Sequence, residues 1–495
     1  MTSASTLKES ASKPPGKLDG RAAVAFTACR YVTYAFAFMR SILSAKYLGP
    51  ELLGILGFVL LLNQYLSYAG CGLQYAINVD LAISPIQTHR KISSVAITLT
   101  GLVGLAIGVA GVFISLFRVN LFPKYMFFHY AGLVGMIAAF GIVQQVFTNI
   151  YRIYGRLKEI AVVEVCGAVL LFGLTLRFRG EALITAVLVG VAVSSAFALI
   201  VFVGRAPFRI SWSLDITYIY SLLKLGFPLL VYNLSFYLIT MVAQSIVSAF
   251  YPVQAMGYYT LASSISNAAL LGFNSIAWIV YPLVLERTHR DMSNEEAGRV
   301  TDRVNVVLGT GVFLMVLGVL LTLPLLFAIL PKYSPARGSV TMLLLSQAFL
   351  LSSFGYNCLA VARRKQMAIA AVSMAAVVIV AGVALAAAVM GMQFIWVAAA
   401  VFAGSVLFSL FQARIGSKLL GGILQRPIIP AGSSLGAALC IGGLMINRPL
   451  AGAVAGTVAY VIMNRDRIAE VMQLCLPYFQ VLSKRASRQQ VIANL

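Results

Sequence analysis

Acidic residues are scarce in this chain. Fifteen Asp and Glu stand against 37 Lys and Arg in 495 residues, giving a net charge of +22. Charged residues make up only 11% of the sequence, against about 25% in a soluble domain. Histidine occurs three times, as His89, His129 and His289. The cysteines (Cys29, Cys71, Cys166, Cys358, Cys440 and Cys475) are scattered singly. There is no Cys-x-x-Cys pair, Cys/His cluster, nucleophile motif or phosphate loop. These absences argue against a metal site, a cofactor or covalent catalysis, so none of the three is expected. The cysteines read as small buried hydrophobes. No short apolar core precedes a small-residue cleavage site, so the first apolar run reads as a retained start-transfer segment.

Hydrophobic residues supply 60% of the chain, and they gather in runs long enough to cross a bilayer. Barrel strands would alternate instead, and in lipid a helix satisfies its own backbone groups. The expectation is an all-α integral membrane protein of about 14 transmembrane helices. They are placed at 22–46, 52–77, 92–117, 126–151, 160–178, 182–204, 218–248, 254–283, 303–330, 338–361, 367–390, 393–413, 428–446 and 449–463. With both termini on one side, 28 of the 37 basic residues fall on that side and 9 on the other. The bias predicts cytoplasmic N- and C-termini. Because the cations sit in short blocks between spans, they report topology and contact with anionic lipid headgroups rather than nucleic acid.

The chain also overlays on itself. Residues 47–54, which lead into the second span, align with 250–257, which lead into the eighth, at an offset of 203. Tyr154-Gly-Arg-Leu-Lys158 matches Val361-Ala-Arg-Arg-Lys365 at an offset of 207. An even number of spans separates the copies, so the repeat is parallel, with its axis along the membrane normal; chance similarity of such short segments is the alternative. This gives two six-helix lobes, 21–204 and 205–418, with two additional helices in 419–464. Residues 1–20 read as a disordered cytoplasmic tail and 465–495 as a second cytoplasmic tail. Residues 286–302, of mixed charge, read as a solvated surface helix.

Three segments carry a family resemblance. Ser44-Ala-Lys-Tyr-Leu-Gly-Pro-Glu-Leu-Leu-Gly54, followed by Tyr65 and Gly70-Cys-Gly-Leu73, resembles the opening of Wzx-type polysaccharide-export flippases. These belong to the multidrug/oligosaccharidyl-lipid/polysaccharide superfamily. Leu223-Lys-Leu-Gly-Phe-Pro228 resembles the start of the family's seventh span, and Met256-Gly-Tyr-Tyr-Thr-Leu-Ala262 its Val-Gly-x-Tyr-Ser-x-Ala element. One position departs: members often carry Asp-Arg about fourteen residues before the glycine, where this chain has Ala243-Gln244. That puts ion coupling through an acid there in doubt. The resemblance implies that an undecaprenyl-diphosphate-linked oligosaccharide is turned from the inner to the outer leaflet of a bacterial cell membrane by alternating access. It also implies membrane lipid as a partner, together with a polysaccharide polymerase or glycosyltransferase.

Such a cargo calls for a polar, cationic cavity open to the bilayer, and ionisable groups inside spans usually face one. In the first span Arg30, Arg40 and Lys46 join Thr27, Thr33, Tyr34, Ser41 and Ser44 in a polar stripe; snorkelling to the interface is the alternative. Arg30 lies roughly 13 Å into the span, which makes snorkelling awkward. Asn63 and Gln64 add amides in the second span, and Gln145 and Asn149 add amides above Arg152 in the fourth. Arg152 either guides a diphosphate or simply anchors the span end. Asn233, Asn267, Asn274 and Asn357 extend the amide set, either as sugar ligands or as interhelical glue. Glu164 is the acid well inside a span. It either couples an ion or pairs locally with Arg156.

Three rivals stand beside the flippase, one of them a non-catalytic membrane scaffold, which leaves the intramembrane arginines unexplained. A multidrug or organic-cation antiporter would want central membrane acids rather than Arg30 and Arg40. A membrane glycosyltransferase or polymerase would want facing carboxylates in large outer loops. Here the outer segments are short, with Glu51 and Glu181 as their acids.

Overall fold

The structure is a computed structural model that describes residues 20–287, 292–422 and 430–473; the side chains of 20–24, 82–83 and 271–287 fall outside that description. Residues 1–19 of the expected tail 1–20, 474–495 of the expected tail 465–495 and 288–291 of the expected surface segment 286–302 lie outside the described residues, as do His289 and Cys475. Up to Met463 the described residues form fifteen α-helices and short 3-10 turns, with no strands. Among the described residues, ten stretches are long and apolar enough to cross a bilayer, so the protein is an all-α, multi-pass membrane protein.

Helix α1 (Gly20–Leu66) holds the first two expected spans. Its limbs, 20–48 and 50–66, meet at Gly49 with φ 71° and ψ 173°. That backbone region is essentially restricted to glycine. Pro50 then starts the second limb, where its missing N–H costs nothing and its fixed φ suits a first helical turn. The expected continuous span 52–77 is corrected at its far end. The chain passes through a 3-10 turn, Ser67–Gly70, then through left-handed Cys71 and Gly72, before α2 (Leu73–Ile83) begins. Apolar composition runs across this break, so hydropathy alone does not register it.

The following helices are α3 (Ile86–Leu116), α4 (Ala131–Ile153), α5 (Leu157–Arg177), α6 (Gly180–Gly204), α7 (Ile216–Phe250) and α8 (Val253–Arg287). Then come α9 (Asn294–Ile329), α10 (Arg337–Ser352), α11 (Phe354–Ala362), α12 (Gln366–Val389) and α13 (Ile395–Leu419). Two short helices, α14 (Ala431–Met445) and α15 (Pro449–Met463), have 15 residues each. Each is about 22 Å long, short of the roughly 30 Å hydrocarbon core. After a turn at Asn464 the chain is helical again through 465–473.

The chain divides into two compact units. The first comprises residues to Leu234 together with Pro252–Gly257; the second comprises Ser235–Tyr251 and Tyr258 onward. In the first unit α1 packs on α5 and α6, and α4 packs on α3 and α6. Leu73, Ile77, Ile92, Val95, Val146, Ile150 and Leu222 form a core cluster joining α2, α3, α4 and the start of α7. The segment before α7 is stitched to α3. Ser211 N–H donates to Ser94 Oγ, and Ser213 N–H donates to Thr98 Oγ1, both at 3.3 Å.

In the second unit the segment Pro331–Ala362, which includes α10 and α11, is the central element. Within its apolar window 89% is buried, against 22% for α3. Interior hydroxyls on it bond across to α13, as small polar residues in bundles do. Ser353 Oγ donates to Gln412 Oε1 at 2.5 Å, and Ser352 and Ser409 hydroxyls lie 3.1 Å apart.

The reading of the cysteines as uniformly buried is also corrected. Cys358 and Cys440 are buried, but Cys71 and Cys166 are exposed. An apolar helix face turned outward in a membrane protein meets lipid, so hydrophobicity in the sequence does not imply interior packing.

Candidate functional site

The first limb of α1 has no acid in its sequence, yet it carries Arg30 and Arg40 within 20–48. They lie about 15 Å apart along the helix. Their surroundings differ. Arg30 Nε donates to Glu164 Oε2 at 3.4 Å, and Nη2 donates to Oε1 at 3.5 Å. The pair is side-on and at the long end of the hydrogen-bond range. Both side chains keep some exposure, 25% for Arg30 and 27% for Glu164. The Arg30 guanidinium also lies 5.2 Å from the centre of the Phe26 ring, in cation–π range. Glu164 is on α5, two turns from its start, and the packing of α1 on α5 brings it to Arg30.

The local pair anticipated between Glu164 and Arg156 is therefore corrected. Arg156 Nη1 donates instead to the Arg205 carbonyl at 2.6 Å. Sequence spacing favours the neighbour on the same chain segment, whereas helix packing supplies one 134 residues away.

Arg40 is half-buried and has no hydrogen-bond or ion-pair partner among the described residues. A charge placed at membrane depth without a counter-ion is costly and usually faces a polar cavity. Lys46, near the end of the same limb, is exposed.

The amides divide by role. Asn149 donates from Nδ2 to the Gln74 carbonyl and accepts at Oδ1 from Asn78, both at 3.1 Å. It ties α4 to α2, as interhelical glue would. Asn233 donates to the Leu229 carbonyl one turn back on its own helix. Asn63 is half-buried, with its Oδ1 lacking a partner, and Gln64 beside it is exposed. Gln145 and Arg152 are half-buried on α4; Arg152 has a partner. In the second unit Asn267 is exposed on α8 and Asn357 is half-buried on α11. The side chain of Asn274 lies outside the described residues.

A second acid at the end of the membrane region has no counterpart in the sequence reading. Asp80, on α2, accepts from Ser84 Oγ at 3.1 Å and from Tyr218 Oη. Beside it Lys91 pairs with Asp215 at 2.7 Å and lies over the Tyr218 ring. His89 is buried between Tyr154 Oη and the Ser84 carbonyl, each at 3.0 Å. Asp80 falls just beyond the expected span 52–77 and its partner Tyr218 is 138 residues away, so local spacing gives no signal for the cluster. Among the described residues, no group of three metal-ligating side chains converges.

This architecture matches solved transporters over most of its length. A lipid II flippase, MurJ, in an inward-closed conformation superposes with a TM-score of 0.65 at 15% identity, covering 90% of this chain and 100% of that one. A MATE transporter in complex with MaL6 gives 0.56 at 14% identity, covering 85% and 99%. An inward-facing multidrug resistance MATE transporter of the MOP superfamily gives 0.52 at 16%, covering 79% and 95%. At these identities the likeness establishes the fold. Among curated proteins no sequence relative matches the chain. The sequence profile of a family described as polysaccharide biosynthesis protein matches residues 43–291. That span contains the segments 44–54, 223–228 and 256–262, which carry the resemblance to Wzx-type flippases, and the chain belongs to the polysaccharide biosynthesis protein family.

Proposed function

We propose that the protein moves an undecaprenyl-diphosphate-linked oligosaccharide from the inner to the outer leaflet of a bacterial inner membrane, by alternating access. The product would be exopolysaccharide or O-antigen-type surface glycan. The termini would lie in the cytoplasm, and a polymerase or glycosyltransferase would act beside it. The observation that carries this reading is Arg40, a half-buried cation with no partner among the described residues. A guanidinium binds phosphate oxygens bidentately, so an unpaired one inside the membrane suits an anionic headgroup. Arg30, on the same limb, supplies a second guanidinium, and Gln145, Asn63 and Gln64 offer amides to sugar hydroxyls. A site for organic cations would instead want free carboxylates, and Glu164 is already engaged by Arg30.

The test is complementation of a flippase-null bacterium. Arg40→Ala and the Arg30→Ala/Arg40→Ala double variant should abolish surface polysaccharide at normal protein abundance, with lipid-linked oligosaccharide accumulating inside. Full export by the double variant would remove this site. Failure of the wild type to restore export of any tested glycan, with efflux of organic cations instead, would replace the flippase by an antiporter.

A further inference from the structure

We infer that Glu164 is a built-in anion that holds Arg30 in the empty transporter and yields it to the diphosphate of the cargo. The inference rests on the flippase reading above and assigns Glu164 a positioning role within it. Three observations lead to it. The contacts of 3.4 and 3.5 Å are loose for a bidentate pair, where well-made charge-assisted bonds run nearer 2.7–2.9 Å. Both members remain about a quarter exposed, so an incoming ligand can reach them. The Arg30 guanidinium also rests by the ring of Phe26, which is 4% exposed. Arg30 is thus held in place by a contact that loss of the carboxylate would not remove.

The physical need is plain. An alternating-access carrier must return empty, and a bare cation within the membrane is costly. A carboxylate that covers Arg30 lowers the charge of the empty site by one. When a diphosphate enters, its oxygens offer the guanidinium stronger bidentate bonds, and Glu164 is left to face the opened cavity. Arg40, which has no acid partner among the described residues, would then be the constant cation of the site and Arg30 the conditional one. Glu164 therefore competes with the cargo, and removing its charge should tighten binding even though an ion pair is lost. A carboxylate that merely pins α5 to α1 predicts the opposite sign.

The full chain, reconstituted in phosphatidylcholine nanodiscs, is titrated with undecaprenyl diphosphate. Glu164→Gln should bind it about tenfold more tightly than wild type, Arg30→Gln at least tenfold more weakly, and the Glu164→Gln advantage should shrink as salt rises. Thermal unfolding of each variant checks that the fold persists. Unchanged or weaker binding by a folded Glu164→Gln, with Arg30→Gln still weak, overturns the exchange while leaving Arg30 as a ligand. Wild-type binding by both Arg30→Gln and Arg40→Gln overturns the exchange together with the site it rests on. If Glu164→Gln fails to fold, Glu164→Asp replaces it. The shorter acid reaches Arg30 less well, so tighter binding supports the exchange and weaker binding rejects it.

Discussion

Gly54 sits against the start of α8, and Gly257 against the start of the second limb of α1. A methyl group on Gly54 would strike the Val253 carbonyl, and one on Gly257 would strike the Pro50 carbonyl. The two contacts are reciprocal: Gly257 follows Gly54 by 203 positions, and Val253 follows Pro50 by 203. Each glycine thus lets the other segment's backbone approach closely, within the short stretches 50–54 and 253–257. The offset is the one at which 47–54 overlays 250–257. Both contacts lie inside the first unit, which includes Pro252–Gly257.

Gly54→Ala and Gly257→Ala should each destabilise the protein by about 1–3 kcal/mol, the range for overpacking a tight interior. The added carbon meets backbone, which has little room to move. Gly101→Ala and Gly173→Ala, where the same methyl meets open space, should leave the melting temperature unchanged or slightly raised. Thermal unfolding of the detergent-solubilised variants compares the four. Equal melting temperatures across the set would refute the reciprocal contact.

Asn149 and Gln145 are four residues apart on α4 and should behave differently. Asn149→Ala removes the bonds to Gln74 and Asn78, which costs about 1–3 kcal/mol for the polar groups left unpaired. Its export should fall only as far as its abundance falls. Gln145→Ala should keep normal abundance and lose export. Quantifying membrane protein and surface glycan in the same cells separates the two, and a matched loss of both for Gln145→Ala would return it to a structural role.

Asp215 lies just before α7, outside the membrane segments. Its pKa is held below the ordinary 3.8, first by the hydrogen bond from Lys91 and then by the Tyr218 N–H. A carboxylate whose folded pKa is depressed contributes stability that is complete above its unfolded value and is lost as pH falls through the folded value. Asp215→Asn should therefore melt below wild type at pH 7, and the gap should close as pH drops below about 4. A gap that stays constant down to pH 2.5 would show that the ionised form matters little.

The hairpin α14–α15 is closed on two glycines. A Cβ on Gly443 would lie 2.5 Å from the Gly452 Cα, and one on Gly452 would lie 2.6 Å from the Gly443 Cα. Gly443→Val or Gly452→Val should force the two helices apart, and limited proteolysis should then cut near 446–449 in the variants but not in wild type. Small-residue contacts of this kind drive helix association in lipid, where the hydrophobic effect offers no preference between partners.

The sequence by itself determined the class of the protein. Runs of apolar residues far longer than a soluble core tolerates leave helices as the only way to satisfy the backbone in lipid. The break between the first two spans is legible too, because Gly49-Pro50 is a matter of local backbone chemistry. The arginines of the first span are legible for the same reason: a charge in an apolar run stands out wherever it folds. Their partners are not. Glu164 reaches Arg30 only because α5 lies along α1, and Asn149 became a tie between helices only because α2 breaks from the second span at Cys71 and Gly72. Asp80 meets Tyr218 from 138 residues away. Within a bundle in lipid the hydrophobic pattern says that a helix is buried in the membrane but not which face meets protein. Tertiary packing alone therefore decided which polar groups hold the bundle together and which, like Arg40, were left without a partner among the described residues.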